Sequence, residues 1–340
     1  MATKKLEIIP LGGLGEFGLN SLLVRSGQEM ILIDVGMMFP DESLPGVDIV
    51  TPDLAFVQEH AAQLKAVILT HAHEDHIGAL PYLLRLVKVP VYGTRFTLAV
   101  ADHKLAEHGL LSETETHPVE PGERVQVHPY DIEFIRSTHS TIDALAMAIH
   151  TPGGMIVHAT DFKIDDTPVI GQPMDVDRLR QLGDQGVLAA LVDSTNVERA
   201  GRTPSEKAVI PALEEVFETA PGRIIISCFA SSIHRIQIIL DLAYEYGCKV
   251  ALVGRTMGRL VETAMDGQYM NVPANLLVPL HTVNQLPPDK VVMLVTGCQG
   301  EPMAALARMA TESYKQIRIE PGDTVVLSAR AIPGNEKAIA

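Results

Sequence analysis

The first half of the chain is a succession of short apolar runs of the length typical of β-strands. They cover residues 6–11, 21–25, 30–35, 66–70, 124–128, 133–136, 145–150, 155–158 and 187–192. Residues 52–65 and 77–87 instead have helical spacing, with Pro81 near the first turn of the second segment. The run 187–192 is continuously apolar and predicts a buried strand. Strands that pair with one another and are then flanked by helices predict an αββα sandwich, which is an α/β fold.

The pattern changes near residue 203. The segment T-P-S-E (203–206) predicts a helix start in which Thr203 caps, Pro204 takes the first helical position and Glu206 completes a capping box. Strands are then predicted at 223–228, 249–253, 291–296 and 323–327, and helices at 232–246, from 256 and from 302. Strands that alternate with helices predict a parallel sheet. We therefore expect two domains, residues 1–203 and residues 204–340.

Composition excludes several classes of protein. With 46% hydrophobic and 20% charged residues among 340, the chain can bury a core. No apolar run reaches the roughly 18–20 residues of a membrane span, and the N-terminus shows no signal-peptide pattern, so we expect a cytoplasmic protein without membrane contact. Cys228, Cys248 and Cys298 are widely spaced, which favours buried, reduced thiols. The net charge of −15 argues against a generic polyanion-binding surface, although bound divalent metals would supply positive charge locally.

A glycine-rich stretch, P-L-G-G-L-G-E-F-G-L-N (10–20), resembles a dinucleotide-binding turn. Gly13, Gly15 and Gly18 have the spacing G-x-G-x-x-G, and Asp34 stands where a ribose-binding acid would be. A dinucleotide site requires a helix directly after the third glycine. Residues 19–25 have β character instead, so no dinucleotide cofactor is predicted. The glycines are expected to allow a tight loop near the edge of an active site.

The strongest chemical signal is H-A-H-E-D-H (71–76), which follows the predicted strand 66–70. Alternate residues of an extended strand end point the same way, so His71 and His73 can hold one ion. The chain then turns, which directs Asp75 and His76 to the other side. This arrangement predicts two metal ions rather than one, and solvated loop residues are a poor alternative beside a buried strand.

Two further candidate ligands follow later strands. His139 comes after the predicted strand 133–136, and Asp161 comes after the predicted strand 155–158. A metal site needs more ligands than one turn supplies. If these strands are aligned in a sandwich, the three loops converge at one edge, and His139 and Asp161 join the histidine cluster.

These motifs resemble those of the metallo-β-lactamase superfamily in order and spacing, with Asp34 in I-L-I-D-V-G matching the aspartate that precedes the cluster. D-S-T-N (193–196) followed by T-P-S-E resembles the motif that opens a β-CASP insertion, the mark of nucleic-acid-processing members. The segments S-S-I-H-R-I-Q (231–237), T-G-C-Q-G-E-P (296–302) and A-I-P-G-N-E-K (331–337) resemble those of ribonuclease J. The similarity extends from residue 8 to residue 337.

The resemblance implies a particular set of metal ligands. One ion would be held by His71, His73, His139 and Asp161, and a second by Asp75, His76 and the bridging Asp161. Such ligands suit Zn²⁺, with Mn²⁺ a credible alternative. Two ions can activate a water and stabilise the attacking and leaving oxygens of phosphodiester hydrolysis. Asp75 would orient the attacking hydroxide, and Asp34 would orient a histidine rather than bind metal.

The resemblance also implies an RNA substrate with a 5′ monophosphate, 5′–3′ exonuclease and endonuclease activity, and a homodimer. Ser231, Ser232 and His234 lie at a predicted strand end before a helix, where amide groups favour phosphate. Phe39 is a candidate for stacking on a base. Helix-capping serines, a solvated histidine and a loop anchor explain these four residues equally well.

Departures from the family pattern and two alternative functions complete the expectations. Ribonuclease J proteins continue with a histidine motif that protonates the leaving group and a further histidine for the second metal. This sequence stops at N-E-K-A-I-A, and His281 lies too early to replace either, so we expect a C-terminally truncated chain.

Two alternative functions are weighed against these motifs. A small-molecule metallohydrolase of the glyoxalase or lactamase type would not explain the parallel second domain. A non-catalytic RNA-binding fragment would not explain the intact metal motifs.

Overall fold

The computed structural model describes residues 5–40, 44–332 and 335–340. The segment M-M-F-P-D (37–41), which contains the candidate base contact Phe39, and the motif 331–337 therefore lie partly outside the described residues. The chain divides into two compact units, residues 1–166 with 172–203, and residues 167–171 with 204–340. The short segment 167–171, within the first of the two domains expected from the sequence, groups with the second unit.

The first unit contains a six-stranded sheet in which the strands follow chain order. Its strands are β1 (Leu6–Gly12), β2 (Ser21–Ser26), β3 (Glu29–Ile33), β4 (Leu64–Ile68), β5 (Val91–Gly93) and β6 (Thr116–Pro118). β1, β2 and β3 are antiparallel, whereas β3 to β6 run parallel. The parallel pairs place the end of β4, and the histidine cluster after it, at the carboxyl edge of the sheet.

A five-stranded sheet faces the first. Its strands are β7 (Arg124–Val127), β8 (Tyr130–Arg136), β9 (Leu145–Thr151), β10 (Gly154–His158) and β11 (Ala189–Leu191), in the order β11-β10-β9-β8-β7. The prediction of a buried strand at 187–192 is wrong about burial. β11 is short and lies at the sheet edge, and the flanking Leu188 and Val192 are 61% and 54% exposed.

Alternation along the strands builds the sandwich. Ile132 and Phe134 of β8 pack between the two sheets with residues of β3 and β4, whereas Ile135 faces the opposite side and packs near Leu182. The helices of this unit are α1 (Ala55–Glu59), α2 (Glu74–Ile77), α3 (Leu80–Leu86), α4 (Arg95–Glu107) and α5 (Val176–Gln185). α4 packs on β5 and β6, and α5 covers the outer face of the second sheet. The predicted αββα sandwich is confirmed.

The second unit is a parallel α/β layer, as predicted. Its strands are β12 (Ile224–Ser227), β13 (Lys249–Val253), β14 (Val291–Val295) and β15 (Thr324–Leu327), in the order β13-β14-β12-β15. All neighbouring pairs are parallel. The helices are α6 (Ile210–Thr219), α7 (Ile233–Glu245), α8 (Arg255–Asp266), α9 (Ala305–Ala310) and α10 (Glu336–Ile339).

The start of the second unit corrects the predicted capping box. The side chain of Ser205, not Thr203, accepts a hydrogen bond from the backbone N–H of Lys207. A 3₁₀ turn over Glu206–Val209 follows, and α6 begins only at Ile210, with a proline in its first turn. This proline, Pro211, therefore accounts for the later start of α6, because a residue without a backbone N–H is tolerated in the first turn of a helix.

Two further expectations concern the cysteines and membranes. Cys228, Cys248 and Cys298 are free and buried, and burial raises the pKa of the Cys228 thiol to about 12. Within the described ranges, no helix is long and apolar enough to cross a bilayer.

Candidate metal centre

The segment 71–76 follows β4 directly and contains a tight turn. His73 is extended and precedes α2, a single helical turn that carries Asp75 and His76. His71 is fully buried and His76 is 2% exposed, whereas the Asp75 side chain is 39% exposed. The change from strand to helix within a few residues brings four polar side chains of this segment to the same edge of the sandwich.

Three histidines form the first group of potential ligands. Nε2 of His71 and Nδ1 of His73 lie 3.1 Å apart, and His139 packs edge-on against both rings. One ring nitrogen of each residue lies within 4.8 Å of the other two. His139 comes from the loop after β8, so the second sheet completes a group that β4 begins.

A second group consists of His71, His76 and Asp161, again with ligand atoms within 4.8 Å of one another. Oδ2 of Asp161 lies 3.5 Å from Nε2 of His76 and 3.8 Å from Nε2 of His139, which places this carboxylate between the two groups. Asp75 approaches from the side, with its Oδ2 3.7 Å from Nε2 of His76. The structure thus brings together all six residues predicted as ligands.

Asp34 lies behind this centre and does not belong to either group. Its carboxylate, 3% exposed, accepts hydrogen bonds from the backbone N–H and the hydroxyl of Thr70, each at 2.8 Å. It also lies 2.7 Å from Nδ1 of His76. A proton on Nδ1 leaves Nε2 of His76 as an acceptor that faces Asp75 and Asp161. Thr160 donates to the Thr70 hydroxyl at 2.9 Å and completes the chain of hydrogen bonds.

The electrostatics of the centre match the needs of a bound cation. Burial lowers the pKa of His71 and His73, and lowers the pKa of His139 to about 3, so these imidazoles are neutral, as metal binding requires. Burial opposes a charge on His76 as well, but Asp34 and Asp75 raise its pKa well above the usual value, so a bound ion would displace the proton on Nε2 while the proton on Nδ1 stays with Asp34. Neutral imidazoles beside a negative potential are a donor set that fits a divalent metal. Among the described residues, no further group of three such ligands occurs.

The residues predicted to contact substrate have different surroundings. Phe39 is 65% exposed. Ser232 is 7% exposed and precedes α7, where its side chain makes no capping hydrogen bond, and Ser231 is half-buried. His234 is only 4% exposed, and its Nδ1 accepts a hydrogen bond from the backbone N–H of Ile170. Packing in the second unit therefore shields His234 from solvent, and its contact with phosphate stays a prediction.

Sequence reasoning missed two polar residues that contact this centre. Thr70, the last residue of the predicted strand before His71, links Asp34 to the histidines. Asn20 directs its side-chain amide at Asp75 and His76. The only signal for them in the sequence is position, because both residues stand beside a strand end.

Gly36 allows the main chain after β3 to pass directly behind the turn at Asp75. A Cβ at this position would lie 1.7 Å from the carbonyl oxygen of Asp75 and 2.8 Å from the amide nitrogen of Asn20. We expect Gly36→Ala to lower the free energy of unfolding by about 3 kcal/mol, because backbone atoms must move apart. Urea unfolding of the metal-free chain measures the effect.

Gly183 of α5 provides the matched control, because a Cβ there has no atom within 4 Å. Gly183→Ala is expected to be neutral or stabilising by up to about 1 kcal/mol, as alanine favours a helix. Equal unfolding free energies for Gly36→Ala and the wild type would contradict the contact.

Family models match both halves of the chain. The model of the metallo-beta-lactamase superfamily matches residues 14–188, which is half of the chain and includes all six clustered residues. The model described as "Ribonuclease J, beta-CASP domain" matches residues 221–340, the parallel α/β layer.

Curated relatives point the same way. The chain is 44% identical to ribonuclease J of Synechocystis over 99% of its own length and 53% of that protein. It is 43% identical to ribonuclease J of Thermus thermophilus over 98% of its length and 59% of that protein. The chain therefore spans about half the length of the curated relatives it matches. A solved structure, a protein of unknown function from Enterococcus faecalis, has the same fold, with a TM-score of 0.62 at 15% identity over 95% of this chain and 89% of that one.

The sandwich, the cluster at its edge and the family matches agree. The chain belongs to the metallo-β-lactamase superfamily and, within it, to the ribonuclease J family.

Proposed function

We propose that this chain is the metal-dependent catalytic part of a ribonuclease that hydrolyses RNA phosphodiester bonds. The observation that carries the proposal is the convergence of four histidines and two aspartates at one edge of the sandwich in a chain of the ribonuclease J family. The superfamily implies divalent metal binding. Imidazole and carboxylate donors favour Zn²⁺, with Mn²⁺ as the alternative to be compared.

The proposed ligands divide between two ions. His71, His73 and His139 would hold one ion, His76 and Asp75 would hold the second, and Asp161 would lie between them. When bound, two divalent ions lower the pKa of a water and neutralise charge that develops on the phosphate. The side chain of Asp75, more exposed than the other ligands, is placed to accept a hydrogen bond from an attacking water and to orient it. Asp34 and Thr70 keep Nε2 of His76 directed at the centre.

The remaining features of the proposal come from the family. They are 5′–3′ exonuclease and endonuclease activity, a preference for 5′-monophosphorylated RNA, a homodimer, and action in the cytoplasm. The half-buried Ser231, at a strand end of the parallel layer, is the proposed phosphate contact, and the exposed Phe39 is the proposed base contact.

The test compares the 340-residue chain with the product of the full reading frame that encodes it. Each is incubated with 5′-monophosphorylated and 5′-triphosphorylated RNA, with Zn²⁺ or Mn²⁺ and with a chelator. Release of mononucleotides reports exonuclease action, and internal fragments report endonuclease action. Asp75→Asn is expected to lower cleavage by about 10²-fold or more, because the attacking water loses its orienting carboxylate.

The control for that variant is Asp184→Asn on α5, where an exposed carboxylate changes in the same way and activity should persist. A full reading-frame product that cleaves a lactam or thioester substrate but leaves RNA intact would overturn the proposal in favour of a small-molecule hydrolase.

A further inference from the structure

The side chain of Asn20 faces two of the proposed ligands of the second ion. Its Nδ2 lies 3.3 Å from Oδ2 of Asp75 and 3.1 Å from Nε2 of His76. Oδ2 of the Asp75 carboxylate can only accept a hydrogen bond, so it requires the donor end of the Asn20 amide. Asn20 therefore presents an N–H₂ group to both ligand atoms.

The backbone of Asn20 is tied to the same turn. Its N–H donates to the carbonyl oxygen of Asp75 at 3.0 Å, and its carbonyl oxygen accepts from the N–H of Gly36 at 2.9 Å. The bond to Asp75 connects residues 55 positions apart in the chain. The position of the Asn20 amide is thus coupled to the position of Asp75 and does not depend on one side-chain contact alone.

The glycine-rich stretch packs against Asn20 from the other side. Gly13 has a φ of +81°, and a Cβ there would lie 2.7 Å from Oδ1 of Asn20. A Cβ at Gly12 would lie 2.5 Å from the carbonyl oxygen of Leu19. Only residues without side chains allow this approach, so Gly12 leaves space for the backbone of Leu19 and Gly13 leaves space for the amide of Asn20. The stretch that resembled a dinucleotide site therefore makes room for Asn20.

We propose that Asn20 is a positioning residue of the second metal site, which orients Asp75 and His76 for the ion, and that Gly13 leaves the space that its amide occupies. This inference rests on the proposed function, since it concerns the same centre. Its consequence is selective. Loss of the amide affects the ion held by Asp75 and His76, and leaves the ion held by His71, His73 and His139.

The test is a calorimetric titration of the metal-free chain with Mn²⁺, which does not depend on RNA cleavage. The wild type is expected to bind two equivalents. Asn20→Ala should weaken the second equivalent by about 10–100-fold, the effect typical of groups that orient metal ligands, with the first equivalent unchanged. A general loss of structure would weaken both equivalents, so the selectivity separates positioning from folding.

Two glycine variants provide a matched pair that leaves Asn20 intact. Gly13 and Gly15 have φ values of +81° and +77°, so alanine strains the backbone similarly at both, but a Cβ at Gly15 meets no atom within 4 Å. Gly13→Ala is expected to weaken the second equivalent, and Gly15→Ala to leave it unchanged. This pair of variants tests the proposed role of Asn20 even if Asn20→Ala does not fold.

Three results would overturn the inference. They are wild-type affinity for both equivalents in a folded Asn20→Ala, equal weakening of both equivalents, and identical titrations of the two glycine variants. Each of them leaves the proposed ribonuclease function standing. A wild-type chain that binds no metal would overturn the proposed centre itself, together with this inference.

Discussion

Replacement of His71 by alanine is expected to remove the ion held by the three histidines and to abolish RNA cleavage. His71 is the residue common to the two groups of ligand atoms, and its ring lies 4.0–5.0 Å from the rings of His73, His76 and His139. The ring is fully buried, so water cannot take its place without opening the centre. We expect metal affinity to fall by more than about 100-fold, beyond the effect of losing an orienting group. Cleavage should fall by at least about 10³-fold, or about 4 kcal/mol.

The measurement combines metal content after dialysis with the RNA assay. His281→Ala serves as the control, because His281 is exposed and belongs to the second unit. Thermal unfolding with a chelator shows whether His71→Ala retains its fold. A folded His71→Ala chain that still binds two ions would contradict the assignment of His71 as a metal ligand.

Replacement of Asp34 by asparagine is expected to lower the stability of the fold strongly. The carboxylate is 3% exposed and makes hydrogen bonds with Thr70 N–H, Thr70 O–H and His76 Nδ1. Asparagine retains the shape of aspartate and tolerates the φ of +57° at this position. Its side-chain N–H₂ group, however, would face the N–H and O–H donors of Thr70 and His76. Hydrogen bonds to buried charged groups contribute about 1.5–3 kcal/mol each, so we expect a loss of about 3 kcal/mol.

Urea unfolding of the metal-free chain measures that loss, and a metal titration should show affinity lower by about 10–100-fold because His76 is no longer held. The exposed Asp184→Asn is again the control, with an expected change of about 0.5 kcal/mol or less. Unchanged stability for Asp34→Asn would show that the hydrogen bonds to Thr70 and His76 contribute nothing to the fold.

Local patterns explain what was predicted about the fold and what was missed. The long strands β8, β9 and β10 alternate between two apolar faces, and this period of two is visible in the sequence. β5 and β6 span three residues each and were not predicted, because so short a run has no detectable period. α4 and α5 were also missed. The burial of β11 depends on its neighbours, and at the sheet edge its flanking side chains remain exposed.

For the candidate site too, some features were predicted from the sequence and others were not. By itself, the sequence determined which six residues are available as ligands, because four lie in one turn and each of the others follows an apolar strand. It also determined that Gly13, Gly15 and Gly18 do not form a dinucleotide turn, since a strand and not a helix follows them. These conclusions rest on the spacing of residues along the chain, which does not depend on the tertiary structure.

Only the tertiary structure decided which nitrogen of His76 faces the centre, that His234 is buried, and that Asn20 contacts Asp75. Each depends on groups far apart in the chain, such as Asp34 beside His76, Ile170 beside His234 and Gly13 beside Asn20. The orientation of a side chain is set by the hydrogen bonds and packing that surround it once the strands have assembled. Spacing along the chain therefore names the ligands, and contacts across the sandwich determine how they are held.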